Sequence, residues 1–359
     1  MIRIRKGKVT EIIRCSQGVT EIKVEVEGKI EDALNYDFMT GPVHLGDGVT
    51  LNTTALHKEL GTGGYHFVMA NAKVRKTDVD EMGHIMKLRY TPSQVKCFSV
   101  EEELNPHRAK IADFTSLLGT PVVVGTLHSM LAPAAAGVKK ASSGKLRVAY
   151  VMTDRAALPI QISRTVAELK EKGLIDATVT VGNAFGGDFE AVNIYTGLIA
   201  AKEVIEADVV IVTLGPGIVG TGTKYGFSGI EQGEIINAVN ILGGKAIAIP
   251  RISFTDPRER HTGISHHTLT VLGKIAVTPC DVVLPYMNPI KENFVNKQLM
   301  KSGAALEHRI VMEDGEPALL YLIEKDIVVT TMGRSMSQDK EYFLTAGAAG
   351  ILASKYVVY

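Results

Sequence analysis

The sequence predicts an α/β protein: a Rossmann-like, mostly parallel, doubly wound sheet preceded by a small N-terminal β-barrel domain. Three observations carry this. From about residue 105 onward, apolar β-branched runs alternate with amphipathic helical stretches, the pattern of βαβ units. Before about residue 90, short strand-like runs are punctuated by glycine turns, the pattern of a small barrel. The 359-residue length suits two domains, placed at residues 1–100 and 101–359.

In the first part, Ile22, Val24 and Val26 alternate with Glu21, Lys23, Glu25 and Glu27, the period of a half-buried strand. Val43 and Leu45, then Val49 and Leu51, flank Gly46-Asp47-Gly48, which predicts a hairpin. Gly61, Gly63 and Gly64 precede a strand over His66–Ala70, and His84–Tyr90 reads as a last strand before Pro92. In the second part, helical spacing of Ile111, Phe114 and Leu118 predicts a helix over His107–Leu118. Buried parallel strands, apolar on both faces, are expected at Pro121–Leu127, Leu146–Thr153, Ala177–Val181, Asp208–Leu214, Lys245–Pro250 and Asp281–Leu284. A helix should run from Pro159 to Gly173. Ser228-Gly229-Ile230-Glu231 reads as a capping box, and Ser265 as the cap of a further helix stapled by Ile264 and Leu269. Arg309–Thr331 reads as a hairpin or pair of edge strands, and Gln338–Tyr356 as an Ala-rich terminal helix.

Lys+Arg and Asp+Glu are both 39, so no net charge draws the chain to nucleic acid or anionic lipid. Six per cent aromatic content without Trp supplies no stacking platform for bases. Hydrophobic residues at 45% exclude wholesale disorder. Cys15, Cys97 and Cys280 are odd in number and far apart, against a disulfide framework and for a reducing, cytoplasmic setting. The basic Met1–Gly7 stretch precedes no apolar segment, so no secretory leader is expected. No run approaches the ~18 apolar residues of a membrane helix.

Ligands of open parallel sheets bind beyond the carboxyl ends of the strands, so the residues that follow each strand are the candidates. They are His128, then Asp154, then the turn containing Gly186, Gly187, Asp188 and Glu190. After the fourth strand come Gly215, Gly217, Gly220, Thr221, Gly222, Thr223 and Lys224, and after the fifth Arg251, Arg258, Arg260, His261, His266 and His267. Gly215, Gly217 and Gly220 fit G-x-G-x-x-G, whose amides can approach a phosphate. Pro216 removes one amide, the helix starts late, and Arg251 stands where an acidic ribose partner belongs. An anion cradle completed by Thr221, Thr223 and Lys224 therefore fits better than NAD. Asp188 reads as a helix cap and Glu190 as a first-turn carboxylate, or both as holders of a metal or a substrate hydroxyl. Arg251, Arg258 and Arg260 offer forks for phosphate or carboxylate, unless Asp256 and Glu259 merely pair with them on a surface loop. His266 and His267, in the first turn of a helix, should be neutral there.

The segments Gly186–Asn193, Gly215–Thr223 and Arg258–Thr268 resemble the bacterial family known as domain of unknown function 3866, over nearly the whole chain. The resemblance implies no activity. The residues themselves lead to the expectation of a hydrolase or group transferase acting on a small anionic or phosphorylated molecule. His128, His261, His266 or His267 would move the proton, with Asp154 or Asp188 as partner. The glycine loops at 182–188 and 215–223, Lys224 and the three arginines would hold the anion. A divalent metal stays open. The alternative is a non-catalytic sensor of an anionic metabolite or nucleotide, and homo-oligomerisation is the default expectation.

Overall fold

The computed structural model describes residues 1–60, 63–79 and 82–357, and the chain divides into two compact units. One comprises Met1–Met82 with Leu88–Lys96, the other Gly83–Lys87 with Cys97–Tyr359. The short return of Gly83–Lys87 to the second unit has a local cause. The Lys87 ammonium, 1% exposed, donates to Thr180 O at 3.2 Å, Ala184 O at 2.5 Å and Glu190 Oε2 at 2.7 Å. All three of its protons are thereby used, as a buried ammonium requires.

The first unit is a closed barrel of β1 (Ile4–Ser16), β2 (Val19–Val26), β3 (Lys29–Tyr36), β4 (Gly48–Asn52) and β5 (His66–Asn71), in the order β1-β2-β3-β5-β4. The alternation in β2 sends Ile22, Val24 and Val26 inward against Ala33, Val49, Leu51 and Val68. The hairpin expected across Gly46–Gly48 does not form. Asp47 is buried, its carboxylate takes up the His44 amide and the Asn71 side chain, and the chain from Gly41 to Asp47 is irregular. The strand expected over His84–Tyr90 shortens to Ile85–Lys87. Gly61 lies outside the described residues.

The second unit contains β6 (Pro121–Val124), α1 (Leu131–Ala141), β7 (Val148–Thr153), α2 (Arg164–Glu171), β8 (Ala177–Val181), β9 (Phe189–Ala191), α3 (Ile194–Ile199) and β10 (Val209–Leu214). There follow α4 (Glu231–Ile241), β11 (Lys245–Ala248), α5 (His266–Thr270), β12 (Asp281–Pro285), α6 (Pro289–Ser302), β13 (Arg309–Glu313), α7 (Glu316–Glu324) and α8 (Lys340–Tyr356). The eight strands form one parallel sheet in the order β9-β8-β7-β10-β6-β11-β12-β13. Successive residues of one strand serve opposite cores. Val123, Tyr150 and Ile211 pack with Leu131, Leu169, Leu322 and Phe343. Val122, Ala149 and Val210 pack with Leu198, Ile235, Ile236 and Leu299. Hence α1, α2, α7 and α8 cover one face, and α3, α4 and α6 the other.

Several local expectations are corrected. The helix over His107–Leu118 is a single turn, Arg108–Ala112. The helix expected from Pro159 starts at Arg164, because Ser163 caps it by accepting the Val166 amide at 3.1 Å. Ser228 opens a 3₁₀ turn and caps nothing; its hydroxyl accepts the Val219 amide instead. Asp188 does not cap a helix, and Glu190 is in strand β9 rather than a first helical turn; Asn193 caps α3 with a full capping box. The last segment holds the parallel edge strand β13 and the helix α7, not a hairpin.

The sheet order creates one particular crevice. Neighbouring strands β6 and β10 send their chains to opposite faces, into α1 and α4 respectively. Such a divergence of neighbouring strands is where open α/β sheets take ligands. Among the described residues no helix is long and apolar enough to cross a membrane.

Candidate functional site at the switch point

A cavity of about 170 Å³ opens at this crevice. Thr126 and Leu127 enter it from the end of β6, and Ile218, Val219, Gly220 and Gly222 from the loop after β10. Arg251, Arg258, Arg260, His261, His267 and Thr268 come from the loop after β11. Met332 comes from a turn between α7 and α8. The volume is small beside the ~300–1,000 Å³ of drug-sized sites, so it suits a compact ligand and not a dinucleotide.

The loop after β11 is held open by its own ends. Ile252–Ser253 pairs antiparallel with Gly263–Ile264, and Gln298 of α6 clamps the pair, accepting the Ile264 amide at 2.8 Å and donating to Thr262 O at 3.0 Å. Beneath it lies a buried ionic layer. Asp256 accepts Nη2 of Arg251 at 2.7 Å and Nε and Nη2 of Arg258 at 2.9 and 2.8 Å. These guanidinium groups hold its carboxyl far below the usual range, the Arg258 bonds most of all. Asp339, fully buried, accepts Arg334 Nε and Ser253 Oγ, both at 2.9 Å. Arg334 Nη2 also approaches Asp256 at 3.8 Å.

Three arginines thus meet two carboxylates, and Arg260 in the same cavity adds to the local positive charge. Arg260 makes no ion pair among the described residues, and neither does Glu259, so the surface-pair reading of this loop holds only for Asp256. Arg251 is 6% exposed, yet its Nη1 is buried without a hydrogen-bond partner. An unpaired buried charged donor costs free energy unless a further acceptor meets it.

Three imidazoles stand beside these groups. Their ring centres lie 5.1 Å apart for His261 and His266, 5.4 Å for His261 and His267, and 4.1 Å for His266 and His267. Ser265 caps α5 by accepting the His267 amide, and its Oγ lies 2.8 Å from His261 Nδ1. Either group can donate in this bond, according to which ring nitrogen of His261 carries the proton. Burial first, then Arg251 and Arg258, pushes His261 down to about 3. Burial and the neighbouring His266 push His267 down to about 4, and burial with Arg260 lowers His266. The rings are neutral at pH 7 as expected, but burial and arginine charge keep them so rather than a five-residue helix. Nε2 of His266 and of His267 are buried and unpartnered. His267 stacks on Phe227 with ring centres 4.0 Å apart.

Gly220 is needed here for space. A Cβ on it would stand 2.9 Å from Cε1 of His267. It is also the non-bonded partner of Phe227 in a short antiparallel bridge closed by Thr221 N to Gly226 O and Ser228 N to Val219 O. Its own amide therefore stays outside that ladder.

The other candidates are placed elsewhere or already engaged. His128 is held between Ser163 Oγ at 2.6 Å from Nε2, and Tyr150 OH and Leu214 O at 3.2 and 3.3 Å from Nδ1; burial lowers it to about 4. Asp154 accepts the Asn183 amide at 3.0 Å. Asp188 pairs with Lys170 and accepts the amide and hydroxyl of Thr178. The amides of Gly186 and Gly187 go to Glu190 Oε1 and Thr180 Oγ1, so that turn is no anion cradle. Gly215 packs tightly, with Ala157 O where a Cβ would stand, and Gly217 adopts φ +99° at the start of the loop. Thr221 and Thr223 bond to each other and to Gly226, and Lys224 lies over the Tyr225 ring at 5.3 Å. Gly220 and Gly222 of this loop line the cavity, and Thr221, Thr223 and Lys224 are not among its lining residues. Among the described residues no group of three or more His, Cys, Asp or Glu is arranged to hold a metal ion.

Arg334, Asp339, Met332 and Phe227 escaped the sequence reading, since only the tertiary fold brings residues 330–339 to this crevice. Glu231, buried at the start of α4, also escaped it. Its carboxylate accepts Thr153 Oγ1 at 2.7 Å, and burial pushes it up to about 7.

The architecture defines a doubly wound α/β protein with a cationic, imidazole-rich cavity at its topological switch point. The chain belongs to the family described as protein of unknown function (DUF3866), whose model matches residues 32–350. No curated protein matches the sequence.

Proposed function

We propose that this protein is an enzyme, a hydrolase or group transferase, that acts on a small anionic, phosphorylated molecule bound at the switch point. The observation that carries the reading is the buried, unpartnered Nη1 of Arg251, together with the unpaired Arg260 and the unpartnered Nε2 of His267, both of which line the same cavity. Such preorganised donors stabilise charge that develops on transferring oxygens. The imidazoles supply the proton chemistry. Before the anion binds, burial first and arginine charge second hold them neutral. A bound dianion offsets that charge and raises their proton affinity toward the range where a general acid works. Nucleic acid has no part in this reading, since Lys+Arg and Asp+Glu balance at 39 each.

The second reading is a non-catalytic sensor of an anionic metabolite. It is favoured by the state of Asp256, both of whose oxygens are taken up by Arg251 and Arg258, so that it partners no imidazole. Titration of inorganic phosphate, followed by calorimetry and ³¹P line broadening, tests the shared part. Binding is expected, with about a tenfold loss in Arg260→Ala, as befits a lost charge-assisted bond. Absence of binding overturns both readings. Turnover of a phosphate-monoester panel, abolished in His267→Ala, supports the enzyme; binding without turnover supports the sensor.

A further inference from the structure

The cavity is lined by two kinds of residue: Arg251, Arg258, Arg260, His261 and His267 are polar, while Leu127, Ile218, Val219, Phe227 and Met332 are apolar, with Phe227 stacked directly on His267. Met332 is the most informative. It sits with Gly333 between paired residues Thr331 and Arg334, and both turn residues have positive φ, +48° and +77°. That is the two-residue type I′ turn, whose first position strongly favours Asn, Asp or Gly. Gln17-Gly18 and Glu27-Gly28 make the same turn in the barrel hairpins, so what marks Met332 is its place at the cavity and not the turn itself. Met332, 53% exposed, lines the cavity together with the arginines. The turn's other role is ionic, since Arg334 joins the Asp339 and Asp256 layer.

Resting on the anion reading, we infer that the ligand is a phosphate monoester with a compact apolar body, and that Met332 is a specificity-determining residue that recognises this body. Phosphate is favoured over carboxylate by the form of the free donors. Arg251 has already given Nη2 to Asp256, so it presents a single nitrogen and not the parallel fork that clamps a planar carboxylate. Arg260 adds a guanidinium with no ion pair among the described residues, and Arg251, Arg258, Arg260 and Arg334 set against Asp256 and Asp339 leave two positive charges in excess, which suits a phosphate dianion better than a carboxylate. A sugar body would place hydroxyls against Leu127, Ile218 and Met332 with nothing to bond them.

The test is a chain-length series on the full-length protein, read by calorimetry: inorganic phosphate, then methyl, ethyl, propyl and butyl phosphate, with butanoate and ribose 5-phosphate for comparison. Affinity should rise by about fourfold per methylene until the cavity is filled. Butanoate and ribose 5-phosphate should bind more weakly than butyl phosphate. Met332→Ala should lose about tenfold toward butyl phosphate and leave inorganic phosphate and the melting temperature unchanged, since Met332 is at the rim and not in a core. A flat series, or an equal loss for all ligands in the variant, overturns this inference while leaving the anion site standing. Butanoate matching butyl phosphate overturns the preference for phosphate. Failure of every anion to bind overturns the underlying reading instead.

Discussion

At the level of single residues, burial decides the charge of almost every group that matters. Asp256 stays ionised because two guanidinium groups meet it, whereas Glu231 at the head of α4 has a hydroxyl and only a distant arginine, Arg155 at 3.8 Å. Desolvation wins there and lifts its carboxyl to about 7. The folded state therefore binds a proton that the unfolded chain releases near 4.5. Stability that is full below 4.5 is lost as pH rises through 7. Glu231→Gln keeps a partner for Thr153 and removes the buried charge, so it should raise the melting temperature at pH 8 and leave it nearly unchanged at pH 4.5. Scanning calorimetry at the two pH values checks this.

At the level of elements, the tightest junction is the crossing of α1 and α8. Gly137 faces Gly347 and Gly350, so the two backbones touch without intervening side chains. A Cβ on Gly350 would lie 1.9 Å from Ala134 O, and one on Gly137 2.3 Å from Gly347 O. The obstacles are backbone atoms of buried helices and cannot rotate away. Gly350→Ala gains helix propensity of up to ~1 kcal/mol, but overpacking costs about 1–3 kcal/mol. The net expectation is a loss in stability, measured by urea unfolding with the m-value unchanged. The Ala-rich stretch of α8 was legible in the sequence as a helix. Its partner was not, because small residues signal close packing without saying against what. Likewise the 251–267 loop could be picked out by its density of Arg and His at a strand end. The collapse of Asp188 and Glu190 into local bonds, by contrast, depended on Thr178, Thr180, Lys87 and Lys170 reaching them through space.

For the whole molecule, several buried imidazoles set the acid limit. His128 and His267 lie at about 4 and His261 at about 3, against 6.5 in an unfolded chain. The unfolded chain takes up these protons first, so stability is intact above 6.5 and falls as pH drops from 6.5 toward 4. Glu231 acts in the opposite sense over 4.5 to 7, but three groups outweigh one. The melting temperature should fall between pH 6.5 and 4.5, and less steeply in the His261→Asn, His267→Asn double variant. Saturating phosphate should also soften the fall, since a bound dianion raises the proton affinity of His261 and His267; the measurement is melting temperature against pH with and without phosphate.

The linear sequence by itself determined the fold class, the six apolar strands of the parallel sheet, and the strand-end loops that carry arginine and histidine. Those features arise from local periodicity and from the rule that loops follow strands, both readable along one dimension. The tertiary structure alone decided that β10 lies between β7 and β6, so that β6 and β10 part to opposite faces and open the cavity. It alone brought Met332, Arg334 and Asp339 across more than seventy residues to meet Arg251, Asp256 and Ser253. Strand order and such encounters follow from how two cores fill on either side of the sheet, and side-chain volume and burial leave no periodic trace from which a neighbour could be named.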